Sequence, residues 1–252
     1  GSVTVEKPVT ILGQSSPDGE MPVLVGGFKV KSGCTSIRLE ALSLDGDNGK
    51  YGHMIEVSEA ISDMTVDIIN CSATAYTKGI WYDNYVSKVT SFNVDGRYAH
   101  EFVVGGGDFF DVRQASTYGT ISWRNSTFFG GGIRDFFRID KAAVTKFVLD
   151  HCTISDWSRS NTNNGIFYVR GTVGEFLCTN NLFLNEVVAD KNCLVRVNTY
   201  KVPTFAGNWY YNCGAETDPF FSLVTSAEAT AAKGGICKDD PCQDSAVGIF
   251  NL

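Results

Sequence analysis

Along the chain one short pattern recurs: two apolar residues, a variable one, then another apolar one. It reads MIEV from Met54, IWYD from Ile80 (where the fourth position breaks the pattern), FFDV from Phe109, FFRI from Phe136, IFYV from Ile166, LVRV from Leu194 and FFSL from Phe220. Successive copies lie 26, 29, 27, 30, 28 and 26 residues apart. Between them runs a second apolar series, MTVDIINCS, VSKVTSFNV, TISWRNSTF, KFVLDHCTI, EFLCTNNLF and TFAGNWYYN. Each unit is rich in Val, Ile, Thr and Phe and is broken by Gly, Asn and Asp, which predicts short strands. No convincing amphipathic helix of ten or more residues accompanies them; the best short candidate is SAEATAAKGG, Ser226 to Gly235. A repeat of this length indicates a solenoid or array. Helical repeats are excluded, and the leucine-rich spacing and Trp-Asp blade signatures are missing. The remaining fit is all-β: a single-stranded parallel β-helix of roughly eight rungs, with like residues stacked about 4.8 Å apart.

The junctions agree with this. Asn70, Asn125 and Asn180 fall just after a strand, with His151 at the fourth such place. Asn tolerates the left-handed backbone that a sharp corner between two strands of a rung needs. The glycosylation sequons at Asn70 and Asn125 are read as by-products of such corners. The expected organisation is one β-helix domain over 1–252: an N-terminal cap and first strands over 1–35, regular rungs over 36–225, and a C-terminal cap segment over 226–252.

Within the repeat, two segments nearly coincide: DFFDVR, Asp108 to Arg113, and DFFRID, Asp135 to Asp140. Side chains alternate between faces of a strand. With Phe137 and Ile139 inward, Arg138 and Asp140 face out, and so do Asp111 and Arg113 one rung before. Stacking sets Asp111 against Arg138 and Arg113 against Asp140, so the reversal of charge forms a cross-rung ladder instead of a repulsion. Extended, one outward column reads Glu56, Trp81, Asp111, Arg138, Tyr168, Arg196 and Ser222; the next reads Ser58, Asp83, Arg113, Asp140, Arg170 and Asn198.

Composition narrows the classes of function. The 252 residues carry a formal charge of −7, which argues against a protein built to coat nucleic acid. No run of 18 apolar residues suggests a membrane span. No secretion signal opens the chain, and Gly1-Ser2 reads as a scar left by trimming, which fits removal of one. Of the 8 cysteines none forms a Cys-x-x-Cys pair, so zinc is not expected and most should pack as small core residues. Cys237 and Cys242 have a spacing that would close a small disulfide loop in an oxidising compartment.

The rung pattern, the opening VTVEKPVTILGQ, the segment LEALSLDGD and the ending DDPCQDSAVGIFNL together resemble the secreted right-handed β-helix proteins of Bacteroidetes, often described as pectate-lyase-like. The ending departs from that family's Asp-Pro-x-Phe-x-Asp…Gly-Asp-Phe close, with Cys242 for Phe and Gly248-Ile249-Phe250 for Gly-Asp-Phe. The resemblance implies an exported chain, in the periplasm or on the outer cell surface, lipid-anchored or joined to other domains in a longer protein. It implies a role in handling polysaccharide. Right-handedness follows from it and from the general rule for parallel connections.

The outward columns give that role its candidate residues. Trp81, Asp83, Asp111, Arg113, Asp140, Tyr168, Arg170 and Arg196 are the expected glycan-binding set, since aromatic rings cover sugar faces and guanidinium forks hold carboxylates or sulfates. The alternative is a polysaccharide lyase acting by β-elimination on a uronate, with Arg138, Lys141 or His100 near the chemistry, because removal of the proton α to a carboxylate needs a base and a partner for the developing charge. No cofactor is expected for binding; calcium would enter only with the lyase, and no acidic cluster for it stands out. A third alternative is a structural or adhesive spacer, in which the ladder only keeps an exposed sheet soluble and in register. GRYAHEF places Arg97, Tyr98 and His100 in a loop over the same face. The glycine-rich VGGGDFF and FGGGIRD lack the Lys-Ser/Thr of a phosphate loop, and LDGDNG lacks the distal Glu of a calcium loop, so all three are read as turns.

Overall fold

The computed structural model of the protein describes residues 1–96, 101–104, 107–130, 134–157, 165–186, 193–197, 204–213 and 235–242, and of 101–104, 193–197 and 235–236 it describes the backbone alone. Every strand pairing among the described residues is parallel, and the strands stack into three sheets of 8, 8 and 9 strands. The first sheet, which bears the charge ladder, runs Ser2–Val5, Gly27–Val30, Ile55–Val57, Trp81–Asp83, Phe110–Val112, Phe137–Ile139, Gly165–Val169 and Cys193–Val197. The second runs from Val9–Leu12 to Thr204–Ala206 and holds the longest strands, among them Lys88–Asp95, Thr117–Arg124 and Ala143–Asp150. The third runs from Val23–Val25 to Trp209–Tyr211 and Gly235–Ile236. No helix occurs among the described residues, so none there is long and apolar enough to cross a membrane. The β-solenoid expected from the repeat is the fold of the chain; the helical candidate 226–235 lies outside the described residues except for Gly235.

The corners behave as the asparagine pattern requires. Asn70, Asn125, His151 and Asn180 have φ of 49°, 48°, 54° and 56°, all in the left-handed region. Asn125 and Asn180 also donate from Nδ2 to Asp95 and Asp150 on neighbouring rungs, both at 3.0 Å. A further device was not foreseen. The residue after the corner turns inward, and at Asn181 and Asn208 it is a fully buried amide. Asn181 accepts from the Cys152 amide (2.9 Å) and donates to the Leu149 carbonyl (2.9 Å), while Asn208 accepts from the Asn181 amide (2.9 Å) and donates to the Cys178 carbonyl (2.8 Å). The two side chains knit four strand ends together where the ladder of backbone bonds is interrupted.

The first rung is already regular: Ser2–Val5 and Val9–Leu12 pair in register with Gly27–Val30 and Ser36–Glu40. Its outer edge leaves Val3, Leu12, Val23 and Val25 exposed.

Inside, aromatic rings stack as the strands do. Phe109 lies on Phe136 with centroids 5.2 Å apart and planes 13° from parallel, and Phe110 on Phe137 at 5.3 Å and 11°. Trp123 on the second sheet wedges edge-on against Phe110, Phe136, Phe137 and Phe147 at 5.3–5.8 Å. Cys34, Cys71, Cys152 and Cys178 are buried free thiols that fill narrow gaps, as expected of small apolar residues. Cys237 and Cys242 are also separate thiols, so no disulfide loop closes there.

Candidate functional site

The outward face of the first sheet is built by one register. Asp111 pairs with Arg138, and Arg138 with Tyr168, which in turn stands beside Arg196. Going the other way, Asp111 pairs with Tyr82, Tyr82 with Glu56, and Glu56 with Lys29. The column is therefore Lys29, Glu56, Tyr82, Asp111, Arg138, Tyr168, Arg196. Two expected members are corrected. Trp81 points inward, wholly buried, against Phe92 and Phe110, and Tyr82 takes the outward place. Asp83 aligns with Val112 and is also wholly buried, so it is not on the binding face. Its carboxylate accepts from the Tyr85 amide (3.0 Å) and the hydroxyls of Ser87 (3.1 Å), Ser116 (3.0 Å) and Tyr118 (2.9 Å). Tyr118 in turn accepts from the Trp81 indole at 2.9 Å. Burial raises the Asp83 carboxyl against the pull of these donors. A carboxylate at an apolar position is thus made tolerable by four donors, and this is why IWYD breaks the repeat.

At the centre of the face, charges interlock more densely than a two-residue ladder. Arg113 reaches Asp108 (2.8 Å), Asp111 (2.5 Å) and Asp140 (3.5 Å). Arg138 reaches Asp140 (3.2 Å), Asp108 (3.5 Å), Asp135 (3.6 Å) and, at 4.0 Å, Asp111. Arg134 adds a contact to Asp108 at 3.2 Å. Asp108 also accepts from the Asp135 amide at 3.3 Å. The side chains of Asp108, Asp111 and Asp135 are 2%, 4% and 0% exposed, so these are charges held away from water, not surface pairs. Four carboxylates and three guanidiniums leave the group at −1 (3 − 4).

Asp108 and Asp135 were missed as site residues, although the repeated Asp before Phe-Phe signalled them. Tyr82 was missed by a slip of one position. Arg170 and Lys141 are exposed at the rim and make no ion pair among the described residues. His100, the side chain of Arg196, Ser222 and Asn198 lie outside the described residues. Arg138 lies over the Tyr168 ring, 5.2 Å from its centroid. Burial pulls the Arg138 guanidinium down, but the hydrogen bond to Asp140 and the field of Asp108 outweigh it and its pKa is raised. A raised guanidinium holds its proton, which is the opposite of what a proton-abstracting base requires.

Toward the N-terminal end the face opens into a cavity of about 270 Å³, lined in part by Lys29, Lys50, Tyr51, His53 and Glu56. His53 stacks on Tyr82, centroids 4.9 Å apart and planes 11° from parallel, which joins the cavity to the column. Burial, and then Lys78 and Arg113, push the His53 imidazole down to about 3. LDGDNG forms the turn expected of it, with Asp47 and Asn48 at φ of 55° and 52°.

Asp111 makes the site sensitive to pH. Burial first, then the Asp108 charge, raise its carboxyl to about 6, against Arg113 and Arg138. In an unfolded chain it titrates near about 3.9. The folded state therefore binds this proton more tightly, and the resulting stability is full below about pH 4 and lost as pH rises through about 6. Denaturant unfolding of the wild type and of Asp111→Asn between pH 7 and 4 is expected to show the wild type gaining on the variant as pH falls. A difference that stays flat across that window contradicts the raised carboxyl.

In comparison with known families, the family described as "Domain of unknown function (DUF4957)" matches residues 1–131, just over half of the chain. No curated protein and no solved structure matches.

Proposed function

The chain belongs to that family, and we propose that it binds a complex glycan along the outward face of its first sheet, as an exported, cell-surface or periplasmic polysaccharide-handling protein. The observation that supports this most is the arrangement of Tyr82 and Tyr168 on either side of a rigid, fully engaged Asp/Arg cluster, in one straight column. Their strands are three rungs apart, about 14 Å at the usual strand spacing. Two half-buried rings at that separation suit an extended chain with repeating apolar ring faces and hydroxyl edges, and between them the cluster presents only its partly exposed edge, Arg113 and Asp140. The parallel sheet holds every member in place, so little ordering cost falls on the protein when the ligand binds.

Affinity measurement against a panel of neutral and acidic polysaccharides tests this. At least one is expected to bind, with Tyr82→Ala and Tyr168→Ala each weakening it about tenfold, roughly 1.4 kcal/mol. Binding unchanged in both variants removes the column from the site. Binding to nothing in the panel leaves the chain as a structural spacer. Ultraviolet absorbance of unsaturated uronates, followed in the same mixtures, reports any lyase activity.

A further inference from the structure

We propose that the cavity between Lys29, Lys50 and His53 receives an anionic end group of that glycan, a terminal sugar carrying a carboxylate or a sulfate; this rests on the glycan-binding reading and fixes where the chain ends. The central cluster is poorly suited to an anion. Each of its three guanidiniums already faces at least one carboxylate, and the group as a whole is negative. An incoming carboxylate or sulfate there would have to displace a buried acid from its partner, which is costly.

The cavity is different. Of its charged lining residues Lys29 and Lys50 are cationic and Glu56 is anionic, a balance of +1 (2 − 1). Lys29 is exposed and makes no ion pair among the described residues. Lys50 is shared with Asp47 at 3.0 Å and sits 5.7 Å from the centroid of Tyr51, so that ring and ammonium form one wall. Glu56 stands on the strand next to Lys29 and next to Tyr82, on the side where the cavity meets the column. An anionic group is thereby directed away from Glu56 and toward the lysines, while Glu56 accepts a sugar hydroxyl. His53 is pinned flat against Tyr82, and a neutral imidazole there offers one donor and one acceptor to hydroxyls without adding charge. A volume of about 270 Å³ is at the small end for ligand pockets and suits one ring, not a chain. The rest of the glycan then leaves over Tyr82 and follows the column toward Tyr168.

The experiment is saturation-transfer NMR on the full chain at low salt with three probes: methyl glucuronide, methyl glucoside and glucose 6-sulfate. The two anionic probes are expected to bind about tenfold more tightly than the neutral one, as for a charge-assisted hydrogen bond. Added salt should erode the preference. Lys29→Met should abolish it, and Lys146→Met, the same loss of charge on the second sheet, should leave it intact. A response to only one anionic probe identifies which group the cavity accepts. Equal binding of all three probes, binding of none of them while a polysaccharide still binds, or a preference that survives in Lys29→Met overturns the cavity assignment while polysaccharide binding along the column still stands. Absence of binding to every monosaccharide and to every polysaccharide overturns both.

Discussion

Arg113→Ala is expected to lower the unfolding free energy by about 3–5 kcal/mol at pH 7, the range for removing one partner from a buried ion pair. The surrounding charges decide the size. The wild-type group stands at −1 (3 − 4), and removing Arg113 takes it to −2 (2 − 4) while Asp108 and Asp111, 2% and 4% exposed, lose their nearest cation. Arg138 reaches both acids but at 3.5 and 4.0 Å, so it offsets only part of the loss. The same substitution should drive the Asp111 carboxyl above its already raised position near 6, since a cation that opposed the rise is gone. Protonation then relieves the uncompensated charge, and the stability deficit should shrink as pH falls toward 5. Arg170→Ala is the control, because that side chain is exposed and unpaired among the described residues; a change within about 0.5 kcal/mol is expected. Urea denaturation of the three proteins at pH 7 and pH 5 checks all of this. An Arg113→Ala loss below about 1 kcal/mol would mean that the group behaves as a solvated surface network.

Trp123→Ala is expected to cost a similar amount, about 3–5 kcal/mol, by a different cause. The indole is wholly buried and touches Phe92, Phe110 and Phe137 from three successive rungs, so its removal opens a void that neither sheet can collapse to fill. Its Nε1–H has no hydrogen-bond partner among the described residues. That makes Trp123→Phe informative. It removes an unsatisfied donor along with part of the ring, so its cost should stay below about 1.5 kcal/mol. If Phe proves as damaging as Ala, the nitrogen does have a partner and the contact is polar as well as steric.

The sequence alone made the solenoid legible, because a repeat of 26–30 residues with period-2 strands leaves few alternatives. The left-handed corners at Asn70, Asn125, His151 and Asn180 were legible for a local reason, since the backbone requirement and the residue that meets it share one position. The pairing of Asp111 with Arg138 was legible from parallel register. What escaped the reading depends on depth and on neighbours in space. Asp83 looks like a surface acid until Ser87, Ser116 and Tyr118 are seen converging on it from two rungs. Trp81 and Tyr82 exchange roles through a shift of one residue, which in a strand inverts every side chain. The cavity at Lys29 draws its walls from strands and loops of separate rungs, and no single stretch of sequence contains it.

The reversal of charge between DFFDVR and DFFRID also constrains how such a molecule could lengthen. A tandem duplication of the rung containing Phe110–Val112 would set Asp111 against its own copy and Arg113 against its own copy, in a parallel register that leaves no room to slide. Two carboxylates would then face each other with little water to screen them. Copying both rungs as one block keeps acid against base at the new junction. In this part of the chain, insertions should therefore be tolerated in even numbers of rungs, or in odd numbers only when a compensating change of sign arrives with them.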